Sequence, residues 1–263
     1  MSEQRKMFYR ERVYTCGHYK HVEIFPVYQR AGVRRSKCNP TSDVQKKLND
    51  KHSKEHFMRL LHENFNQDDY VIGLDYRESC LPEDDTAAKK DITNFLRRVK
   101  RLYKRFSEEL KYIMVYERSE RGRPHFHVIM QNAGIATSLI RSLWYYGRTE
   151  IEPLQYDEDG IMGLCKYVTK GNLFKKRWCA SKNLRQPVPV DSDYKLTQKK
   201  VKAFQIEDLK EIRNSYGDGN ILSCNVYNND VNRADYISIV MFDYGALCKE
   251  MKLRHITQRK DKK

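Results

Sequence analysis

Three side chains near the middle of the chain could hold a divalent cation: His125, His127 and Glu117. Residues 124–130, Pro-His-Phe-His-Val-Ile-Met, read as a β-strand, because β-branched and aromatic residues follow a proline, which fits a strand's first position. Side chains alternate across a strand, so the two imidazoles share one face while Phe126 points into a core on the other. Residues 112–117 read as a second strand. The polar stretch from Arg118 to Arg123, containing Gly122, reads as the hairpin joining the two. Folding one strand onto the other brings Glu117 beside the histidines and makes a two-histidine, one-carboxylate site with open positions. With 8 histidines in 263 residues, chance alone supplies roughly a quarter of a His-x-His per chain, so the tripeptide must be judged by its company.

That company lies downstream, where Asp157 to about Gly171 reads as a helix carrying Tyr167 and Lys170, three residues apart and therefore neighbours on one face. A metal held by two imidazoles and an acid can polarise a phosphodiester but brings no nucleophile. A tyrosine phenolate can supply one, conserving the bond energy as a phosphotyrosine. Lys170 could lower the phenol's pKa, brace the phosphate, or answer only the helix dipole. Tyr167 is one of 18 tyrosines, and the bland alternative is a packing or surface residue.

The elements that must position these groups follow from periodicity. Ser42 or Asp43 caps a helix running to about Asn66, with Phe57, Leu60, Leu61 and Phe65 among its apolar residues. Residues 70–76 read as a strand. A long helix then runs from Asp85 or Thr86 to about Phe106, with Ile92, Phe95, Leu96, Val99, Leu102 and Tyr103 on one side and Arg97, Arg98, Lys100, Arg101, Lys104 and Arg105 on the other. The hairpin comes next, then a helix over 136–146 and a short extended segment, Arg148 to Leu154. This order predicts an α+β fold, a ferredoxin-like antiparallel sheet with a βαββαβ core and both helices on one face. The histidines belong on an inner strand facing away from those helices, and the candidate tyrosine on an additional helix. The chain divides into a basic N-terminal arm and helix (1–66), a core (67–190), and a C-terminal part (191–263) packed on that core. The arm is short on periodicity. In the last part, Leu196 to about Asn214 reads as one helix, Ile221–Tyr227 and Tyr236–Phe242 as strands, and Lys249 onward as a frayed basic tail.

Composition narrows the function classes. A formal charge of +15 favours polyanionic partners, nucleic acid first among them. No apolar run approaches a membrane span and no secretory leader is evident, so a cytoplasmic protein without a membrane partner is expected. Seven cysteines without a C-x-x-C pair suggest reduced thiols rather than a disulfide framework.

Arg123-Pro124-His125-Phe126-His127 resembles the His-hydrophobic-His motif of the HUH endonucleases, and Tyr167-Val168-Thr169-Lys170 resembles their Tyr-x-x-Lys motif, downstream in the expected order. Glu117 matches the carboxylate that completes the metal site in many members. The strand from Val71 to Tyr76 sits where the first motif of replication initiators falls, although Gly73-Leu74-Asp75 departs from its usual Thr-rich form. Residues 177–187 are similar to a segment that follows the tyrosine helix in phage members. The resemblance covers about residues 66 to 190 and is strongest to single-tyrosine rolling-circle replication initiators of small single-stranded DNA phages and related plasmids.

It implies metal-dependent nicking and rejoining of single-stranded origin DNA through a 5′-phosphotyrosine at Tyr167, assisted by Lys170. The metal would be Mg²⁺ or Mn²⁺, held by His125, His127 and Glu117. Candidate DNA contacts flank the motifs: Arg121, Arg123, Lys166, Arg177, Trp178, Lys182 and Arg185. No G-x-x-x-x-G-K-[ST] occurs, so helicase and polymerase would be separate host proteins. Single-tyrosine transposases share the motif order and are the enzymatic alternative. A non-catalytic basic nucleic-acid-binding protein is the alternative from another class.

Overall fold

A computed structural model describes residues 7–28, 43–118, 122–161, 163, 178–229 and 234–260. Two five-stranded antiparallel sheets and six α-helices are present among them, so the fold is α+β as expected. The chain forms two compact units.

The second unit, residues 56–156 and 161–186, carries the histidines. Its sheet is built from β3 (Tyr70–Asp75), β4 (Tyr112–Arg118), β5 (Pro124–Met130), β6 (Thr149–Pro153) and β7 (Trp178–Ala180), in the spatial order β6-β3-β5-β4-β7. Helices α2 (Asp85–Arg105) and α3 (Thr137–Arg141) interrupt the strands, giving the order strand, helix, strand, strand, helix, strand from β3 to β6. The alternation read from sequence explains how it packs. Ile72, Leu74, Tyr116, Phe126, Val128 and Met130 point to one face and form a buried cluster with Ile92, Phe95, Val99 and Tyr103 of α2 and Ile140 of α3. Burying one large apolar side chain of this kind is worth about 1.5–3 kcal/mol. Helix α2 starts where Asp84 accepts a hydrogen bond from the Ala87 amide at 2.7 Å. The histidines lie on the central strand, on the face away from α2 and α3.

Two departures in this unit have clear causes. The helix expected over 136–146 stops at Arg141, because the Trp144 indole leaves the helical path to donate to the Asp75 carbonyl at 2.9 Å. Gly147 then passes so close that a Cβ there would stand 2.1 Å from the Asp75 carbonyl oxygen. The helix expected from Asp157 does not begin there. Asp157 and Gly160 instead exchange backbone hydrogen bonds of 3.0 and 2.9 Å, with Gly160 at φ 73°.

The first unit comprises residues up to Glu55, 157–160 and 187–263. Its sheet has the order β8-β1-β2-β10-β9, from β1 (Met7–Cys16), β2 (Tyr19–Tyr28), β8 (Val190–Ser192), β9 (Asn220–Asn229) and β10 (Ala234–Phe242). The two ends of the chain, which read from sequence as separate flanks, thus share one sheet. The supposed N-terminal arm is a β-hairpin turned by Gly17, at φ 56°, and His18. Its strands lack a clean two-residue pattern because Arg10 and Arg12 are satisfied by acids far along the chain. Arg12 makes two hydrogen bonds to Asp191, at 2.8 and 2.7 Å, and Arg10 two to Asp193, at 2.6 and 2.8 Å. The other face packs Val22, Ile24, Ile237 and Ile239 against α4 (Gln198–Gln205) and α5 (Leu209–Tyr216). The pattern from Leu196 predicts one helix where α4 and α5 stand. Glu207 breaks it with a left-handed φ of 55°, and Asp208 caps the new start. The expected frayed tail is helical as α6 (Tyr244–Lys260). Helix α1 (Asp43–Asn64) belongs to the first unit through Glu55 and to the second from His56.

Candidate metal centre

Antiparallel register fixes who faces whom on the open face of the second unit's sheet. His125 lies directly opposite Glu117 on β4 and opposite Asp75 on β3, while His127 lies opposite Val115 and Gly73. The two imidazole centroids are 4.4 Å apart with planes at 73°. Both rings are largely buried, with side-chain exposures of 19% for His125 and 13% for His127. Phe126 between them is fully buried against Tyr116 and Tyr76, which anchors the strand and sets where the imidazoles emerge.

Each ring has its own carboxylate. Glu117 Oε2 lies 3.1 Å from His127 Nε2, and Asp75 Oδ1 lies 2.5 Å from His125 Nδ1. An ionised carboxylate can only accept, so the imidazole N–H donates in both pairs. Glu117 is 8% exposed, and a buried carboxylate needs such a partner to offset its desolvation. The Asp75 contact fixes the His125 tautomer and leaves Nε2 with its lone pair. Carboxylates orient metal-ligating histidines in this way.

The donor set suits a divalent cation. Two imidazole nitrogens and a carboxylate oxygen are borderline-to-hard ligands. The 3.1 Å between His127 Nε2 and Glu117 Oε2 fits neighbouring ligands of an octahedral ion, which stand ~3.0 Å apart at bond lengths of ~2.1 Å. Gly73 keeps the adjoining space open: a Cβ there would stand 3.8 Å from both His125 Cε1 and Glu150 Cβ. The triad is only partly drawn together, however. Among the described residues, the three side chains whose ligand atoms lie mutually within 4.8 Å are His21, Glu23 and Glu55 of the first unit.

Sequence reasoning missed Asp75. Its only signal is the alternation that puts Gly73 and Asp75 on one face of β3; matching Asp75 to His125 requires the register. The aspartate is also firmly held. Its amide donates to Arg148 O at 3.0 Å, and its carbonyl accepts from Trp144.

The expected DNA contacts are dispersed. Arg123 pairs with Glu78 at 2.6 Å. Trp178 pairs across from Val115, on the histidine face, but its ring packs against Phe57 and His56 of α1. Burial of His56 and the nearby Arg59 hold that imidazole's pKa below its ordinary value. Lys182 lines a groove beside α2. The backbone of Arg185 is bracketed by the Asn64 side chain, at 2.8 and 2.9 Å. Arg121, Lys166, Tyr167, Lys170 and Arg177 lie outside the described residues.

Residues 69–172 match the model of a family of replication-associated proteins, the ORF2 type. The match spans about two fifths of the chain, takes in β3 through β6, and includes both histidines, Glu117, Asp75, Tyr167 and Lys170. It ties this segment to replication and makes DNA the partner class. Comparison with curated proteins and with solved structures yields no match. No helix among the described residues is long and apolar enough to cross a membrane.

Proposed function

We propose that the chain is a rolling-circle replication initiator that cuts and rejoins single-stranded DNA through Tyr167. The observation that carries this reading is the pair of imidazoles on the central strand, each held by a carboxylate, inside the segment matched to a replication-associated family. The spatial strand order, fourth-first-third-second for β3 to β6, also favours it, since a split βαβ core requires that order.

The Tyr167 phenolate oxygen attacks the scissile phosphorus as the bond to the 3′ oxygen breaks. The departing 3′ oxygen takes up a proton, and the 5′ phosphate remains esterified to the tyrosine. Reversal by a 3′-hydroxyl restores the phosphodiester and frees the phenol. Lys170, one helical turn away on the sequence pattern, offsets charge that develops on the phosphate oxygens. His125, His127 and Glu117 would hold Mg²⁺ or Mn²⁺. Bound there, the ion would polarise the scissile phosphate. Asp75 orients His125 by holding its Nδ1 proton, and the space at Gly73 admits the phosphate to the imidazoles. Duplex opening and synthesis fall to a separate helicase and polymerase of the host.

The test is Tyr167→Phe, which removes only the nucleophilic oxygen. Cleavage of single-stranded DNA and the protein–DNA adduct are both expected to vanish, with DNA affinity retained. An adduct that survives the change would move the nucleophile elsewhere.

A further inference from the structure

On the reverse side of the histidine-bearing sheet, α2 and the edge formed by β4 and β7 enclose a groove of about 800 Å³. Lys89, Arg97, Lys100 and Lys104 line one wall and Lys182 lies along the other, whereas the acids at the groove, Glu108 and Glu109, follow the end of α2. At 1.5 Å per residue the four helix cations span ~22 Å. They fall within about a quarter of the helix circumference at 100° per residue, which makes them a stripe rather than a scatter. All five are exposed. Leu110 and the partly buried Tyr112 and Met114 supply apolar and aromatic floor.

We infer that this groove is a second DNA site, a track for a single strand whose phosphates meet the α2 cations and whose bases meet the apolar floor. It rests on the replication reading only for the identity of the polyanion. Charge complementarity selects the occupant: five cations against two acids favour a phosphodiester backbone. The contact floor favours a single strand, because the bases of a duplex are stacked away from such a surface while those of a single strand are open to it. The groove is separate from the histidine face. A strand held here is therefore a flanking segment or the strand not being cut, and the groove contributes affinity rather than chemistry.

The experiment uses the full chain and 20-nucleotide oligothymidylate, followed by fluorescence anisotropy across a salt series, with a duplex of equal length as a second arm. The variant Arg97→Gln/Lys100→Gln/Lys104→Gln is compared with Lys90→Gln/Arg101→Gln/Arg105→Gln, which removes the same charge from exposed positions of α2 outside the groove. Circular dichroism melts verify that both fold. The groove variant is expected to lose on the order of tenfold in oligothymidylate affinity at low salt, and its log K against log[salt] slope to flatten by about 2, the loss of roughly three phosphate contacts at ~0.7 each. The comparison variant should lose much less, and duplex binding should change less than single-strand binding. Equal losses in the two variants would reduce the effect to net charge and overturn the inference, as would unchanged binding by the groove variant or a larger loss for duplex. If the unaltered chain forms no adduct but the groove variant still loses oligothymidylate, the nicking reading fails and the groove stands.

Discussion

Each of the two sheets carries histidines on an inner strand, yet the two sites differ in kind. In the first unit, His21 is fully buried on β2. Its Nε2 lies 3.0 Å from the Ser238 hydroxyl and 3.8 Å from Glu55, and Lys51 sits 3.6 Å from that same glutamate. A closed set of opposite charges and hydrogen bonds surrounds the ring. In the second unit, the His125 and His127 rings keep some exposure. Each meets one carboxylate, and the missing side chain of Gly73 leaves room beside them. Ligand atoms drawn close together are therefore a poor guide by themselves. The tighter cluster has the partners of a structural network, and the looser one has the access and spare coordination that chemistry needs.

The contrast is sharpest in a pair of substitutions. His127→Ala is expected to lower metal-dependent cleavage of single-stranded DNA by roughly 10³-fold, the scale seen when one group that stabilises transition-state charge is removed, while the urea midpoint barely moves. His21→Ala should do the reverse. Cleavage persists, and unfolding shows a loss of about 1–3 kcal/mol as buried polar partners are left unsatisfied. If His21→Ala abolished cleavage at unchanged stability, the assignment of roles to the two clusters would be inverted.

A smaller effect separates a ligand from the group that orients it. Asp75→Asn keeps the shape but weakens the grip on His125, so Mn²⁺ affinity measured by calorimetry should fall about 10–100-fold. Gly147→Ala should act in the same direction, because its new Cβ would collide with the Asp75 carbonyl. Unaltered Mn²⁺ affinity in both variants would make Asp75 a bystander.

The smallest effect is a difference in acid response. His56 packs against Trp178 with its pKa lowered by burial and Arg59. The unfolded chain then binds a proton that the folded chain refuses, so stability falls as pH drops below about 6.5 and levels off beneath the lowered folded value. In the first unit, Asp191 and Asp193 are held below the usual carboxylate range by Arg12 and Arg10. Their contribution is lost only below about pH 4. Both tryptophans, Trp144 and Trp178, belong to the second unit, so fluorescence-detected urea unfolding reads its response. His56→Gln should flatten the change between pH 6.5 and 5; a change of equal size in that variant would assign the slope to other groups.

How much of this was legible in the sequence follows physical lines. Local patterns carried the second unit well. The 3.6-residue periodicity of α2, the alternation in β5 and the Gly-containing connection before Pro124 gave the order of elements from β3 to β6 and put both histidines on one face. Long-range partners were not legible. The β1–β2 hairpin looked irregular because Arg10 and Arg12 are answered by Asp193 and Asp191 from the far end of the chain. Asp75 escaped notice because its role depends on the β3–β5 register. The end of α3 was misjudged because Trp144 is drawn off the helix by a backbone carbonyl distant in sequence.

The most direct test incubates the full chain with Mn²⁺ and a pool of randomised single-stranded DNA labelled at its 3′ end, then isolates label that stays with the denatured protein. The label is expected to be covalently attached, absent when the metal is chelated, and mapped by peptide mass spectrometry to Tyr167. Cleaved DNA with no protein-linked label, or a label on another residue, would contradict the account.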